Sequence, residues 1–196
     1  GLAYVDKTQF IEVLERCGSN YPFIVRPRRF GKTLSTNMLE AYYDEAAADR
    51  FDRVFAGTYI GSHKTPLASQ FRVLHLDFSG IASPNHQVLA AEFQETVLSG
   101  VRSYFQRYPH PEQNEVLKGT FPSASALISR FFSLLTEEFP RKLYVIIDEY
   151  DQFANEVLSQ DLEHFKAMTS SEGFLKNFFT KLKAATNRLV SRIFIT

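Results

Sequence analysis

The sequence predicts an α/β fold with a central parallel sheet flanked by helices. Short apolar runs alternate with longer stretches of helical periodicity, the pattern of strands joined by crossover helices. One run, Leu143-Tyr-Val-Ile-Ile147, is continuously apolar, as a strand buried on both faces requires. Another, Tyr21–Val25, enters a basic loop that closes on Gly31-Lys32-Thr33 and opens a helix. At 196 residues the chain can enclose one sizeable core.

Taken in order, Tyr4-Val-Asp-Lys-Thr8 precedes an amphipathic helix for which Thr8 is the expected N-cap. Strands are expected at Tyr21–Val25, Val73–Phe78, Leu143–Ile147 and Arg192–Ile195. The helix after the basic loop runs from Lys32 to about Ala48. A second opens at Ser83, as N-cap, with Pro84 at its first position, and continues to about Arg107. Tyr108-Pro-His-Pro111 marks a turn, and the chain to Ser125 reads as a connecting excursion. Helices at Ser125–Phe139 and Glu172–Val190 complete the set. Leu127, Phe131, Leu134 and Leu135 stripe the first of these, and Phe174, Leu175, Phe178, Phe179 and Leu182 the second. Both stripes are core faces. With 19 Phe and no Trp, phenylalanine must carry the aromatic packing.

The loop Arg26-Pro-Arg-Arg-Phe-Gly-Lys-Thr33 is the chemically informative stretch. It keeps the second half of the phosphate-loop pattern G-x-x-x-x-G-K-[ST] and replaces the first glycine by Arg26. Gly31 admits close approach of backbone to a phosphate. Successive N–H groups at a helix N-terminus form an anion nest. Lys32 would neutralise phosphate oxygens, and the Thr33 hydroxyl would reach Mg²⁺. Pro27 biases Arg26 toward extended geometry, so Arg26 can end the strand without a positive φ. Arg28 and Arg29 add an unusually cationic lining.

A second motif supports the first. Asp148-Glu149 ends the Leu143–Ile147 run, at the sheet rim where α/β folds bind ligands. Asp148 would hold Mg²⁺, and Glu149 would orient or deprotonate an attacking water. Neighbouring strand residues point to opposite faces, so the two carboxylates would address different sides of the site. Asp77, at the end of its own strand, is either a contact for metal-bound water or a loop arginine, or a structural carboxylate satisfied by backbone N–H groups. Tyr4–Thr8 either covers a nucleotide base or only caps and packs.

On these residues the chain resembles the AAA-ATPase-like family of bacterial and archaeal proteins, whose members often carry a C-terminal PD-(D/E)XK nuclease-like domain. The resemblance covers essentially the whole chain. It rests on Tyr4-Val-Asp-Lys-Thr8, Arg26-Pro-Arg-Arg-Phe-Gly-Lys-Thr33, Leu76-Asp-Phe-Ser79, Ile147-Asp-Glu-Tyr-Asp151 and Arg192-Ile-Phe-Ile-Thr196. In that family an arginine at the first-glycine position is the rule. Many members have proline two residues after the last Asp of Asp-Glu-Tyr-Asp, where this chain has Phe153. That departure leaves the loop after Asp151 less defined.

The resemblance implies a P-loop NTPase of the additional-strand type. It implies ATP and Mg²⁺ as ligands, with Thr33 and Asp148 on the metal. The nucleotide contacts would be Arg26, Pro27, Arg28, Arg29, Phe30, Gly31, Lys32, Thr33 and Leu34. Glu149 and Lys32 would be catalytic, together with a transition-state arginine from among Arg26, Arg28 and Arg29, of which Arg29 is the choice. Thr196 would sit at a sensor-1-like position near the γ-phosphate, or is an ordinary strand end. A lid and further domains would follow, so the chain is expected to be a P-loop core over residues 1–196 cut from a longer protein. A protein or nucleic-acid partner would act through those domains, and oligomers are possible.

Net charge is +0, so bulk attraction to nucleic acid or membrane is not implied. A single cysteine, Cys17, excludes an internal disulfide and fits a reducing, cytoplasmic setting. The histidines lack metal-ligand spacing. Two function classes stand: a Mg²⁺-dependent ATPase, and a nucleotide-dependent switch or interaction module with little turnover. Direct nucleic-acid binding by the basic loop is a third.

Overall fold

The computed structural model describes residues 5–19, 21–24, 31–81, 85–160, 166, 168–170 and 173–196. The expectations placed on Tyr4, Arg26–Phe30, Ser83, Pro84 and Glu172 lie outside them. Three six-residue strands, β1 (Arg72–Asp77), β2 (Leu143–Asp148) and β3 (Val190–Ile195), form a parallel sheet in the order β1-β2-β3. Every residue of β2 is buried, as its unbroken apolar run requires of a central strand. Phe23 extends the sheet beyond β3 by a single parallel bridge to Ile195. Of the expected strand at Tyr21–Val25, the described residues 21–24 form that bridge, with Ile24 N–H donating to Ile195 O (2.9 Å) and Ile195 N–H to Pro22 O (3.1 Å), and Val25 lies outside the described residues.

Helices cover both faces. On one side lie α1 (Phe10–Arg16), α2 (Lys32–Tyr43), a 3-10 turn at Glu45–Arg50, and the short α3 (Phe51–Val54) and α4 (Tyr59–Ser62). On the other lie α5 (His86–Arg107), α6 (Gln113–Leu117), α7 (Ala124–Thr136), α8 (Tyr150–Gln160) and α9 (Phe174–Ala185). Strand alternation sorts β2 between them. Tyr144 and Ile146 join the core under α2, while Leu143, Val145 and Ile147 join the core under α5, α7 and α9. Phenylalanines carry that second core: Phe78 stacks on Phe93 (4.8 Å), and Phe93 meets Phe178 edge-on (5.0 Å). A Cβ at Gly100 of α5 would come within 2.8 Å of His75 O, so glycine there allows α5 to lie close on β1.

Several boundaries differ from expectation for identifiable reasons. α2 stops at Tyr43 because Asp44 turns extended (ψ 119°) and its carboxylate accepts Ala46 N–H (2.7 Å), starting the 3-10 turn. α5 begins at His86, where Asn85 Oδ1 accepts Val88 N–H (3.2 Å). α7 starts at Ala124, one residue before the expected start, where Ser123 caps it by accepting Ala126 N–H. The helix read to Val190 ends at Ala185, since Val190 opens β3. The chain after Asp151 is helical, and Phe153 is fully buried in it against Phe78 and Phe93.

Thr8 does not cap α1, whose N-cap is Gln9. Its hydroxyl accepts Ile60 N–H (3.0 Å), and Asp6 accepts Tyr59 N–H (2.6 Å), so the two cap α4 from a distant part of the chain. In register, β2 and β3 pair Leu143 with Val190 but Tyr144 with Arg192. Ser191 is therefore the extra residue of a β-bulge.

Candidate functional site

The site forms where the C-terminal ends of β2 and β3 meet the N-terminus of α2. Gly31 is the N-cap of α2 at φ 74°, a left-handed conformation that glycine adopts without a Cβ penalty. Among the described residues, no acidic side chain occupies the first turn of α2 and no side chain caps it. A helix N-terminus so left, with its N–H groups and positive dipole end, suits an anion.

Helical spacing decides which residues of the Gly-Lys-Thr stretch turn inward. Lys32, Thr36, Leu39 and Tyr43 follow each other at helical intervals and are all buried against the sheet. Thr33 and Leu34 point to solvent. Lys32 is only 5% exposed. Its ammonium donates to Asp151 Oδ1 at 2.6 Å and lies 3.3 Å from Glu149 Oε2. Burial alone would depress the Lys32 pKa, but the hydrogen bonds to Asp151 and Glu149 outweigh it and hold the group above its ordinary value. Lys32 is firmly an ammonium.

Asp148 falls on the α2 face of β2 by the same alternation that places Tyr144 and Ile146 there. It is 1% exposed. Its Oδ2 accepts the Thr36 hydroxyl (2.8 Å), and its Oδ1 accepts the Thr196 hydroxyl (2.7 Å) and Glu149 N–H (3.0 Å). Oδ1 thus uses both lone pairs, while Oδ2 retains one. His75 Nε2, which makes no hydrogen bond, lies 4.0 Å from Oδ2. His75 Nδ1 pairs with Glu40 (2.6 Å), and Glu40 and Asp44 both hold Arg107 (2.5 and 2.9 Å). Tyr108 O–H closes this polar line on Asp44.

Glu149 departs from the strand alternation. It sits at φ 57°, a left-handed conformation rare for a non-glycine residue. Its N–H is held by Asp148 Oδ1 and Thr196 Oγ1, and its carboxylate turns back to Lys32. Asp148 and Glu149 therefore converge on one region rather than addressing opposite faces. Left-handed backbone at a site of this kind stores about 1–3 kcal/mol of strain that the surrounding bonds must hold.

Among the described residues, Lys32, Asp148, Glu149 and Thr196 come together, with Gly31 at the entrance. Arg26, Pro27, Arg28, Arg29 and Phe30 lie outside the described residues. Thr33 stands at the rim with its side chain exposed, and the hydroxyl that reaches Asp148 belongs to Thr36. Asp77 is spent locally: its carboxylate accepts Ser79 N–H (2.9 Å).

Sequence reasoning missed three participants. Thr36 was legible as the residue four after Lys32 on the same helix face. Asp151 was legible as the last carboxylate of Asp-Glu-Tyr-Asp, in the first turn of α8. His75 carried no sequence signal beyond its place two residues before Asp77.

No group of three His, Cys, Asp or Glu side chains among the described residues forms a metal cage. The donor set still fits Mg²⁺, which keeps several waters and is bound by one or two protein ligands together with substrate phosphates. The residues that would hold it are Asp148, through the spare Oδ2 lone pair, and Thr33, through its exposed hydroxyl.

The sequence model of one family, AAA-ATPase_like, described as "Predicted AAA-ATPase", matches residues 1–196. No curated protein and no solved structure matches the chain.

Proposed function

Because the chain belongs to the AAA-ATPase-like family, whose members are described as predicted AAA-ATPases, we propose that it binds ATP with Mg²⁺ and hydrolyses it. The observation that carries this reading is the convergence of Lys32, Asp148 and Glu149 at the C-terminal ends of parallel strands, beside the open N-terminus of α2. The α2 N–H groups and Lys32 bind the phosphates, with Arg26, Pro27, Arg28, Arg29, Phe30 and Leu34 completing the nucleotide contacts. Thr33 and Asp148 hold the metal. When bound, Mg²⁺ would neutralise charge on the phosphates. Glu149 accepts the proton of the attacking water, and Arg29 stabilises charge on the transferring group. Thr196 donates its hydroxyl to Asp148 Oδ1 and so orients that carboxylate. On this reading Thr196 serves as the sensor-1-like residue.

The fold belongs to the additional-strand type of P-loop NTPase on this reading, because β3 stands between the Phe23 bridge and β2. Residues 1–196 form one catalytic core that drives a downstream domain, through which a protein or nucleic-acid partner is engaged. A cytoplasmic setting suits the exposed free thiol of Cys17.

A second reading, a nucleotide-dependent switch with little turnover, draws on the same contacts. The Glu149 carboxylate lies 3.3 Å from the Lys32 ammonium, a contact it must leave before it can meet a water.

Calorimetry with Mg²⁺-ATP and steady-state phosphate release, on wild type, Lys32→Ala and Glu149→Gln, tests both. Loss of binding in the first variant and of turnover alone in the second supports the ATPase. Binding without turnover in the wild type supports the switch. Absence of binding removes both.

A further inference from the structure

We propose that Asp151 competes with nucleotide phosphate for Lys32, so that this carboxylate sets the site's affinity and its preference for polyphosphates over single phosphates. The inference rests on the nucleotide reading above. Asp151 is the nearer of the two carboxylates on Lys32, at 2.6 Å against 3.3 Å for Glu149. An ammonium has three donors, and these carboxylates occupy the side of Lys32 that faces the ends of β2 and β3. A phosphate reaching Lys32 therefore meets a carboxylate already in place. Among the described residues, two carboxylates, Glu149 and Asp151, lie against this one ammonium.

Asp151 is better placed to give way than Glu149. Its carboxylate lies in the first turn of α8, where the helix dipole favours it, and its Oδ1 also accepts Gln152 N–H (2.8 Å). Losing Lys32 would leave Asp151 compensated. Among the described residues, Glu149 Oε2 has Lys32 as its one neighbouring cation, at 3.3 Å. The backbone beneath Asp151 is anchored, since Tyr150 N–H and Asp151 N–H both donate to Thr196 O (2.9 and 3.4 Å). Displacement is then a rotation of one short side chain. A single phosphate gains too few contacts to displace it, whereas a polyphosphate that also spans the α2 N-terminus gains more.

The test is calorimetric titration in EDTA with ATP, tripolyphosphate and inorganic phosphate. The proteins are wild type, Asp151→Asn, Asp151→Ser and Asp77→Asn. Asp77→Asn removes a carboxylate at the same sheet rim that does not touch Lys32. Both Asp151 variants should bind ATP and tripolyphosphate roughly tenfold more tightly, the scale of one removed hydrogen bond between charged groups. They should also lose part of the discrimination against inorganic phosphate. Asp77→Asn should match wild type. Unchanged or weaker binding in both Asp151 variants overturns the proposal, because Asp151 would then position Lys32 for the ligand. Equal tightening in Asp77→Asn overturns it as well, by reducing the effect to overall charge. If the wild type binds Mg²⁺-ATP and Lys32→Ala does not, those outcomes sink only this proposal. If neither binds, the nucleotide reading falls with it.

Discussion

Thr36 donates its hydroxyl to Asp148 Oδ2 at 2.8 Å, joining α2 to β2 through two fully buried side chains. The same hydroxyl reaches back to Thr33 O at 3.0 Å. The Gly-Lys-Thr turn and the acidic strand end are thus coupled by one side-chain oxygen three residues past Thr33. Replacing Thr36 by Val keeps the shape and removes the donor. This change should cost about 1–3 kcal/mol, the range for leaving a buried acceptor short of a partner. Urea unfolding of wild type and Thr36→Val measures it, and turnover should fall with it.

Glu149 supplies a second prediction. Glycine and alanine both remove its carboxylate, but only alanine keeps a Cβ at φ 57°. Glu149→Gly should therefore be more stable than Glu149→Ala by about 1 kcal/mol. Thermal unfolding of the pair tests this, and both should lack turnover.

Glu40 links acidity to stability. Burial would raise its pKa, but the hydrogen bond and charge of His75 and the charge of Arg107 hold it below the usual 4.5. A depressed carboxylate contributes stability in full above its unfolded pKa and loses it as pH falls through the lower folded value. Wild type should thus shed this contribution below about pH 4.5, the model-compound range. Glu40→Gln should be less stable at pH 7 by roughly 1–3 kcal/mol. The two proteins should converge in stability as pH drops. A gap that persists undiminished in acid would rule this account out.

Asp6 and Thr8 yield a local prediction. Asp6→Ala removes the acceptor of Tyr59 N–H, a capping loss of about 1 kcal/mol. Amide exchange should quicken at Tyr59 and Ile60 while the amides of β2 stay protected.

The sheet was legible because its strands are apolar and parallel. Val73–Phe78 and Leu143–Ile147 were read to within one residue of β1 and β2 at each end. Burial on both faces leaves a short continuous apolar run, and in Leu143–Ile147 its length and β-branched content favour strand over helix. The chain from Asp44 to Phe71 was opaque, since a 3-10 turn and two four-residue helices are too short to show a period. Thr8 misled because a capping residue looks the same whether it caps its own helix or another. At the site, motif spacing named Lys32, Asp148 and Glu149. The period of α2 held the further information that Thr36, and not Thr33, shares the buried face of Lys32. The turn of Glu149 away from strand alternation depended on bonds from Thr196, far along the chain, which no local pattern encodes.

The bulge at Ser191 divides β3 into two unequal parts. On its N-terminal side, one residue more or fewer can be absorbed by the irregular pairing, and the hydroxyl of Thr196 stays on Asp148. Between Arg192 and Thr196 there is no such slack. A single deletion there would present the opposite face of the strand to Asp148. A strand of six residues thus has one end that tolerates changes in length and one that does not. Insertions and deletions among relatives should be confined to the first, leaving the spacing from Arg192 to Thr196 fixed.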